Sequence, residues 1–476
     1  MPDETLSHGW RFPSAFTILF GLIILVAALT WIIPAGQYDR VASEALGKDV
    51  PVAGSYAPTE ANPQGVFDIL LAPIAGFYDP VEYTANAIDV SLFVLIIGGF
   101  IGVVTATGAI DTGIKRAMTL AKGREVWMIP FLMALFALGG TTYGMAEETL
   151  AFYVLLIPVI IAAGYDAVTA VAVILLGAGV GVLGSTINAF STVIASDAAG
   201  VTFADGLGLR LIILGVCWVV TVAFVMRYAA RVKADPSKSL VFDKKAANEA
   251  HFLKDTTADV DFTGLHKIVL FLFALTFGVM IWGVSVGGWW MAEMSALFLA
   301  ATIIIGVIAR LGEGKLVESF VAGARDLLGV ALIIGLARGI VVVMDAGLIT
   351  DTILHGAEVS VAGLPPTAFI LVIYWIEVGL SFFVPSTSGL AVLSMPILAP
   401  VADFAGVQRE LVVTAFATAS GMVNLITPTS AVVMGGLAIG RVPYERWLRF
   451  VWPLLVVLTV IVMAALALAV SMGAPA

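Results

Sequence analysis

The stretch GSTINAFST, residues 184–192, interrupts what would otherwise read as a membrane helix, because apolar runs precede and follow it. Hydrocarbon offers polar groups no partners, so irregular polar backbone survives at membrane depth only when it is buried in protein or lines a wet cavity. The stretch therefore predicts a broken helix with a ligand site at the break. Its hydroxyl and amide side chains are Ser185, Thr186, Asn188, Ser191 and Thr192.

The composition of the 476-residue chain predicts that this helix belongs to an all-α polytopic membrane protein. Sixty per cent (60%) of the residues are hydrophobic, 12% are charged, and the mean hydropathy is +1.04. A single cysteine, Cys217, excludes an internal disulfide framework and a cysteine metal site. A net charge of −10 is not typical of nucleic-acid binding. We expect no cofactor and no nucleic-acid partner.

Apolar segments long enough to cross a membrane recur along the chain. Two further apolar stretches, 127–163 and 365–403, are too long for one crossing and have polar middles. Each either crosses out and back or turns round as a re-entrant hairpin, and the topology of the rest is the same in both cases. The predicted full spans are 13–33, 88–110, 167–200, 206–228, 267–287, 289–309, 327–346, 410–440 and 449–472.

Lysine and arginine positions orient these spans. With the N-terminus inside, only Arg40, Lys48, Arg210 and Arg409 fall on the outer side, and only Arg338 lies within a span. An excess of lysine and arginine marks cytoplasmic loops. We therefore expect a multi-pass protein of the bacterial inner membrane with a cytoplasmic N-terminus.

The two halves of the chain resemble each other in sequence. LIIGGFIGVVTATGAIDT (95–112) recurs as LIIGLARGIVVVMDAGLITDT (332–352), and IPVIIAAG (157–164) matches APVADFAG (399–406). The spans that carry the first pair run in opposite directions, which predicts inverted repeats of the kind found in secondary transporters. The predicted divisions are 1–87 (first span, external loop and interfacial helix), 88–228 (repeat 1, with hairpin 127–163 and broken helix 167–200), 229–266 (cytoplasmic linker), 267–326 (scaffold and interfacial helices) and 327–476 (repeat 2, with hairpin 365–403 and broken helix 410–440).

Four polar, non-helical segments are expected to meet near the middle of the membrane: the hairpin tips in 139–149 and 384–391, and the helix breaks in 184–192 and 424–431. Free carbonyls and hydroxyl or amide oxygens suit Na⁺, and helix N-termini suit a carboxylate. The predicted Na⁺ ligands are Gly184, Ser185, Thr186, Asn188, Ser386, Asn424, Thr427 and Ser430. The predicted substrate-binding residues are Thr141, Thr142, Glu147, Glu148, Asn188, Ser386, Thr387, Ser388, Asn424 and Thr429.

Charged residues inside the membrane are expensive and point to function or to pairing. We expect one of Glu147 and Glu148 to face the site, where it meets a cation, a proton or a substrate amine. The alternative is a hydrogen bond that clamps the hairpin. For Arg338 we favour a structural pair with Asp345 or Glu377 over a role in holding substrate.

The motifs GGTTYGMAEETLAFY (139–153), GSTINAFST, FFVPSTSGLAVLSMPILAP (382–400) and NLITPTS (424–430) resemble the DcuC/YfcC-like family of anaerobic C4-dicarboxylate carriers and putative amino-acid antiporters, within the ion-transporter superfamily. The resemblance covers nearly the whole chain. It implies an elevator mechanism, often in homodimers, with hairpin tips that bind substrate and Na⁺. Here Thr141–Thr142 and Ser386–Ser388 occupy the equivalent tips, whereas the asparagines lie at the helix breaks.

We expect a secondary active transporter rather than an enzyme. It would move a small organic carboxylate, an amino acid in preference to a C4-dicarboxylate, coupled to Na⁺ or H⁺. Exchange without ion coupling is the alternative, and a channel is disfavoured because two hairpins replace a continuous pore. The sequence contains no nucleotide-binding G-x-x-x-x-G-K-[ST] and no G-x-S-x-G or H-E-x-x-H hydrolase motif.

Overall fold

The structure is a computed structural model that describes residues 13–43, 48–110, 112–113, 116, 125–142, 144–253 and 262–473. Two predicted cytoplasmic stretches, 117–124 and 254–261, lie outside the described residues. The helices are α1 (Ala15–Leu29), α2 (Val66–Ala75), α3 (Ile88–Ala106), α4 (Met128–Thr142), α5 (Thr149–Ala162), α6 (Ala167–Gly184), α7 (Ile194–Ala199), α8 (Leu207–Ala234), α9 (Lys245–Phe252), α10 (Gly264–Ser285), α11 (Met291–Ile308), α12 (Glu313–Asp326), α13 (Leu328–Ala346), α14 (Thr350–Val361), α15 (Pro366–Phe383), α16 (Thr387–Phe404), α17 (Arg409–Val423), α18 (Ala431–Ile439) and α19 (Tyr444–Gly473).

Nine helical segments in the described part of the chain are long and apolar enough to cross a membrane. The centre of the fold is α6, whose apolar window is 94% buried, and which packs against α4, α5, α8 and α17. A helix that is apolar all round must be surrounded by protein or lipid, and here the surroundings are protein. The segment that leads into GSTINAFST is therefore the most enclosed helix of the molecule.

Both long apolar stretches form helical hairpins. Hairpin 1 consists of α4 and α5, whose Phe136 and Phe152 rings meet at 5.4 Å. Its second arm, α5, has 14 residues and rises about 21 Å, which is too short to cross a hydrocarbon core of about 30 Å. Hairpin 2 consists of α15 and α16, with 18 residues each, and rises about 27 Å. The length of α5 favours the hairpin interpretation over two full crossings.

The two predicted broken helices are broken. After α6, residues 185–188 leave the helix, a π turn covers Ala189–Val193, and α7 follows. After α17, residues 424–430 are irregular and α18 follows. Pro428 lies in this second break, where it has no N–H to donate to a helix.

Close helix packing depends on glycines, as the small-residue face of α6 predicts. A Cβ atom on Gly181 would lie 2.2 Å from the Ala137 carbonyl oxygen of α4, and one on Gly140 would lie 2.2 Å from the Ala178 carbonyl oxygen of α6. The backbones of α4 and α6 therefore touch at these positions. The bodies of hairpin 1 and the first broken helix are therefore in backbone contact.

The external loop predicted after the first span is partly β-structured. Two antiparallel ladders join Gly36–Gln37 to Ala57–Pro58 and Arg40–Ser43 to Lys48–Pro51. We call residues 36–43 and 48–58 the N-terminal strap. The helix α14 was also not predicted, since its sequence is polar and short.

The N-terminal strap is bound to α14. The buried Asp351 carboxylate accepts the Tyr38 N–H at 3.0 Å and pairs with Arg40 at 3.0 Å. The Tyr38 hydroxyl donates to Glu358 at 2.7 Å, and burial beside this carboxylate raises the pKa of Tyr38. These contacts hold two segments together that lie more than 300 residues apart in the chain.

The two amphipathic stretches before the repeats are helices, α2 and α12, rather than loops. Val66, Phe67 and Leu70 of α2 are 60–75% exposed, as suits a helix lying at a membrane surface. The span before the linker and the last span of the chain extend further than predicted, with α8 continuing to Ala234 and α19 beginning at Tyr444. Nothing stops α8 where it leaves the apolar region, because the first helix-breaking pair, Asp235–Pro236, comes later.

Candidate functional site

Hydrogen bonds join the end of α4 to the first helix break. The Thr141 and Thr186 hydroxyl oxygens lie 3.0 Å apart, and the Thr141 hydroxyl also accepts the Thr186 N–H at 3.0 Å. The Thr141 carbonyl accepts the Ile187 N–H and the Thr186 hydroxyl, both at 3.2 Å. Both threonines are buried. The tip of hairpin 1 and the break of the first helix therefore form one bonded unit.

The second half repeats this connection. The Phe382 carbonyl, in the last turn of α15, accepts the Thr427 hydroxyl at 3.3 Å and the Thr429 hydroxyl at 2.7 Å. Thr141 and Thr186 are 45 residues apart, and so are Phe382 and Thr427. The same bond, a break threonine to a hairpin carbonyl, thus recurs at the same sequence separation.

Asn188 connects the first break to the hairpin tip. Its side-chain amide donates to the Gly140 carbonyl at 3.3 Å, and its side-chain oxygen accepts the Phe190 N–H at 2.9 Å. A Cβ atom on Gly144 would lie 2.6 Å from that oxygen, and Gly144 has a φ of +78°, so only glycine fits there. Asn188 is therefore a buried crosslink, with one lone pair of its oxygen left for a ligand.

The remaining polar groups of the first break bond to each other. The Ser185 and Thr192 hydroxyl oxygens lie 2.6 Å apart, and the Thr192 hydroxyl donates to the Ser185 carbonyl at 2.8 Å. The buried Ser191 hydroxyl has no partner in the described part of the chain. The polar groups of the first break are thus enclosed and nearly all hydrogen-bonded, and Ser191 carries the one hydroxyl among these residues that has no partner.

The second half is more open. The Asn424 amide makes one long bond of 3.5 Å, to the Ser420 hydroxyl. Ser386 caps α16 by accepting the Gly389 N–H at 3.3 Å. Thr387 and Ser388, at the tip of hairpin 2, are half-buried, whereas Ser430, the N-cap residue of α18, is buried.

The two breaks lie side by side. A Cβ atom on Gly421 would lie 2.4 Å from the Leu183 Cα, and one on Gly179 would lie 2.2 Å from the Leu425 side chain. The π turn also packs against α16 and α17. The structure therefore brings both hairpins and both breaks together.

The two adjacent glutamates differ in environment. Glu148 is buried, and its carboxylate accepts the Ala146 N–H at 3.0 Å, which closes the tip of hairpin 1. Glu147 is half-buried, and the Asp89 carboxyl at the start of α3 lies within electrostatic range of it. Glu148 thus makes the hydrogen bond that clamps the hairpin, which was the alternative role considered for this pair. Glu147 is the more accessible carboxylate of the two.

Two predicted site residues make local contacts. The Thr142 hydroxyl donates to the Leu138 carbonyl at 2.6 Å, one turn back on its own helix. A Cβ atom on Gly184 would lie 2.5 Å from the Leu214 side chain, so this glycine admits α8. Thr142 thus makes a hydrogen bond to the backbone of its own helix, and Gly184 allows close helix packing.

Of the two partners favoured for Arg338, Asp345 interacts with it electrostatically, without direct contact, and Glu377 does not. Within the described residues, Arg338 makes no ion pair of 4 Å or less. Asp345 accepts the Thr350 hydroxyl at 2.8 Å instead. Seven residues on one helix are separated by about 10 Å along its axis, too far for these side chains to meet at their charged ends.

Cavities in the structure lie apart from the predicted site. One of 660 Å³ lies between α3, α5, α12 and α18 and is also lined by His251 and Phe252. Another, of 330 Å³, lies beneath the linker around Asp166 and Lys233. None of the predicted site residues lines either cavity.

Comparisons with known proteins identify the family. The C4-dicarboxylate anaerobic carrier family, DcuC, matches residues 12–471. This chain belongs to the DcuC family. An uncharacterized protein of Haemophilus influenzae is 38% identical to this DcuC protein over 94% of each chain. The putative basic amino acid antiporter YfcC of Escherichia coli is 31% identical over 93% of each chain. The predicted family is confirmed, and this DcuC protein is a multi-pass membrane protein of a transporter family.

Two solved structures align with this DcuC protein over most of its length. The YdaH transporter of Alcanivorax borkumensis aligns at 14% identity and a TM-score of 0.40, over 97% of this chain and 99% of its own. MtrF of Neisseria gonorrhoeae, from a class of antimetabolite efflux pumps, aligns at 15% identity and a TM-score of 0.42, over 96% and 95%. At these TM-scores neither structure supports an inference about the site.

Proposed function

We propose that this DcuC protein is a secondary active transporter for a small carboxylate-bearing solute. The observation that carries the proposal is the repeated bond between hairpin and break, Thr141 with Thr186 and Phe382 with Thr427. It joins each hairpin to its broken helix, so that each pair can move as one body. Broken helices near the midplane are the usual substrate sites of such transporters.

The movement we propose is an elevator motion of two inverted repeats. The lysine and arginine distribution gives the repeats opposite orientations in the bacterial inner membrane, with the N-terminus in the cytoplasm. The hairpins and broken helices would form the moving body. The scaffold helices would hold the lipid and a second copy of the chain in a homodimer. The exposed apolar residues of α2 fit a brace at the membrane surface.

The substrate we favour is an amino acid, with a C4-dicarboxylate as the second candidate. Hydroxyls and helix N-termini at Ser386–Ser388 suit a carboxylate. The accessible Glu147, with Asp89 in range, would repel a second carboxylate and attract an amine. The name of the Escherichia coli relative, a putative basic amino acid antiporter, agrees with this choice. The family's name favours the dicarboxylate.

The coupling ion would be Na⁺ or H⁺. The proposed Na⁺ ligands are hydroxyl, amide and carbonyl oxygens of the two breaks, among them Ser185, Asn188, Asn424 and Thr427. The Ser185 and Thr427 hydroxyls bond to neighbouring threonines, and rotation about χ1 would turn their oxygens toward an ion. Exchange of one substrate for another without an ion remains the alternative mechanism.

Uptake into proteoliposomes tests the proposal. Purified protein is reconstituted and offered radiolabelled lysine, arginine, succinate, fumarate and butyrate, with Na⁺, pH and counter-substrate gradients imposed separately. We expect saturable uptake of a carboxylate-bearing solute driven by one gradient. Passive conductance, or no gradient-driven uptake or exchange of any probe, would contradict a secondary transporter for this class of solute.

Matched glutamate variants test the substrate assignment. Glu147→Gln should weaken uptake of amine-bearing probes about tenfold or more, because an ionic hydrogen bond is worth roughly 1.5–3 kcal/mol. Glu318→Gln, on the exposed face of α12, should leave uptake unchanged. Normal amino-acid uptake by Glu147→Gln would remove the case for an amine-binding carboxylate and favour the dicarboxylate.

A further inference from the structure

The first arm of hairpin 2 carries a carboxyl group that the proposed substrate site does not use. Glu377, on α15, is 0% exposed, and neither of its carboxyl oxygens has a hydrogen-bond partner within the described chain. The Ser394 hydroxyl on α16 is the one polar group of the described residues that acts on it. That hydroxyl donates to the Leu390 carbonyl at 3.0 Å. Glu377 is therefore enclosed in protein without a countercharge.

The helices packed against α15 supply no countercharge either. These are α14, α16, α17 and α19, and their ionisable groups are engaged elsewhere or lie in end turns. On its own helix the nearest ionisable group is Tyr374, one turn earlier, which faces the Cys217 thiol. The groups on the packed helices are Asp351 (with Arg40), His355 and Glu358 (with each other), Asp403 and Arg409 (with each other), Glu410 (beside Arg210), Tyr444 (donating to the Ile426 carbonyl), Arg446 (with Asp243), and Glu445 and Arg449 in the first turns of α19.

An enclosed carboxylate without a partner is unfavourable by several kcal/mol, whereas the protonated acid is neutral. Removing the charge by binding a proton is the usual solution for a carboxyl group in such surroundings. The environment of Glu377 therefore favours a proton over a metal cation, since the Ser394 hydroxyl is the one polar group of the described residues that acts on it and a metal cation needs several oxygen ligands.

A route from Glu377 to the helix break exists along α15. Ser381 lies four residues further on the same helix face, is 0% exposed, and its hydroxyl has no partner in the described chain. The next residue, Phe382, gives the carbonyl that binds Thr427 and Thr429. The unpartnered Ser381 hydroxyl thus lies on α15 between the Glu377 carboxyl and the helix break at which the proposed ligands would bind.

We propose that Glu377 is a proton-binding site through which hairpin 2 couples substrate movement to H⁺. This proposal rests on the transport function proposed above and names H⁺ as its coupling ion. When the tip of hairpin 2 opens to water, the O–H bond of the Glu377 carboxyl breaks, the proton passes to water as hydronium, and a carboxylate remains. Protonation from water on the other side of the membrane restores the neutral acid before hairpin 2 closes.

Infrared spectroscopy of the reconstituted full chain tests the proton site without any substrate. Wild-type protein should show the carbonyl stretch of a protonated carboxyl group, and this band should weaken as pH is raised. Glu377→Gln should lose the band, Glu377→Asp should shift it, and the exposed Glu318→Gln should leave it unchanged. A band that is the same in wild type, Glu377→Gln and Glu377→Asp would overturn the proposal, and so would a band that does not respond to pH.

Uptake then tests the coupling. With any probe that wild-type proteoliposomes accumulate, a pH gradient should raise the accumulation ratio in wild type and Glu377→Asp. In Glu377→Gln it should have no effect on that ratio, whatever the rate. An equal response of Glu377→Gln and wild type to the pH gradient would overturn H⁺ coupling at Glu377. Absence of uptake by wild type would instead contradict the transport function and leave the infrared result to decide the proton site.

Discussion

At the scale of single residues, the two asparagines of the helix breaks look equivalent in sequence but not in structure. Asn188 is buried and bonds to both Gly140 and Phe190. Asn424 is half-buried and makes one bond of 3.5 Å. Asn188 therefore has a structural role in addition to its proposed role in binding a ligand. Asn424 makes fewer contacts within the protein, so its side chain is more available to a ligand.

This difference predicts different stabilities for the two alanine variants. Asn188→Ala leaves a buried carbonyl and a buried N–H unpaired, which should lower the free energy of unfolding by about 1–3 kcal/mol for each group. Asn424→Ala should change it by about 0.5 kcal/mol or less. Thermal unfolding of the purified proteins in detergent measures both. Equal losses in the two variants would contradict the structural asymmetry.

The residues of the candidate site were largely predictable because hydroxyls and amides in an apolar run stand out. The separate role of each of these residues was not predictable. Which of Glu147 and Glu148 turns inward depends on the conformation of the tip, and the bond from Glu148 to the Ala146 N–H is visible only in three dimensions. The partner at the second break is a backbone carbonyl, that of Phe382, which no side-chain pattern reports.

At the scale of elements, the contact between α4 and α6 depends on glycines at the crossing. Gly140→Ala and Gly181→Ala should each lower stability by about 1–3 kcal/mol, since a methyl group would have to enter space occupied by backbone. Gly215→Ala on α8, where nothing lies within 4 Å of the added carbon, should be neutral or slightly stabilising. Thermal unfolding compares the three, and a neutral Gly181→Ala would contradict the backbone contact.

The linker after α8 is tied to the base of hairpin 1, although its sequence suggested no specific contact. Asp166 accepts the Tyr228 hydroxyl at 2.7 Å and the Ser239 hydroxyl at 2.6 Å. Asp166→Ala should release the linker, so trypsin should cut after Lys238 and Lys244 faster than in wild type. Asp235→Ala, which removes only the cap of the short helix Pro236–Lys238, is the matched control. Equal cleavage in Asp166→Ala and wild type would show that Asp166 does not hold the linker.

The long apolar elements were predictable because hydrophobicity alone identifies membrane helices. The elements missed, the N-terminal strap and α14, are stabilised by contacts between distant segments, and short polar sequences carry no periodic signal for such contacts. The sequence of 127–163 is compatible with either two crossings or one re-entrant pair, and the observed length of α5 favours the latter.

At the scale of the whole molecule, the proposed inversion of the repeats predicts where the hairpin bases are accessible. Val126 is exposed at the base of hairpin 1, and Ala362 is exposed before hairpin 2. In intact cells a membrane-impermeant maleimide should label Ala362→Cys but not Val126→Cys, and permeabilised cells should label both. Wild type, whose one cysteine Cys217 is buried, is the blank. Labelling of both variants in intact cells would rule out the inverted arrangement.

The bonds between the N-terminal strap and α14 also limit the order in which these segments can assemble during biosynthesis. Tyr38 leaves the ribosome 313 residues before Asp351, its partner. At about 5–20 residues per second, the strap waits roughly 15–60 s before that partner exists. During this interval the strap can form contacts within itself, such as that between the Tyr38 and Tyr56 rings, but Tyr38 and Arg40 lack their bonds to α14. The strap can therefore reach its final position only after α14 has been made, and nascent chains released before Asp351 emerges should carry it in a protease-sensitive form.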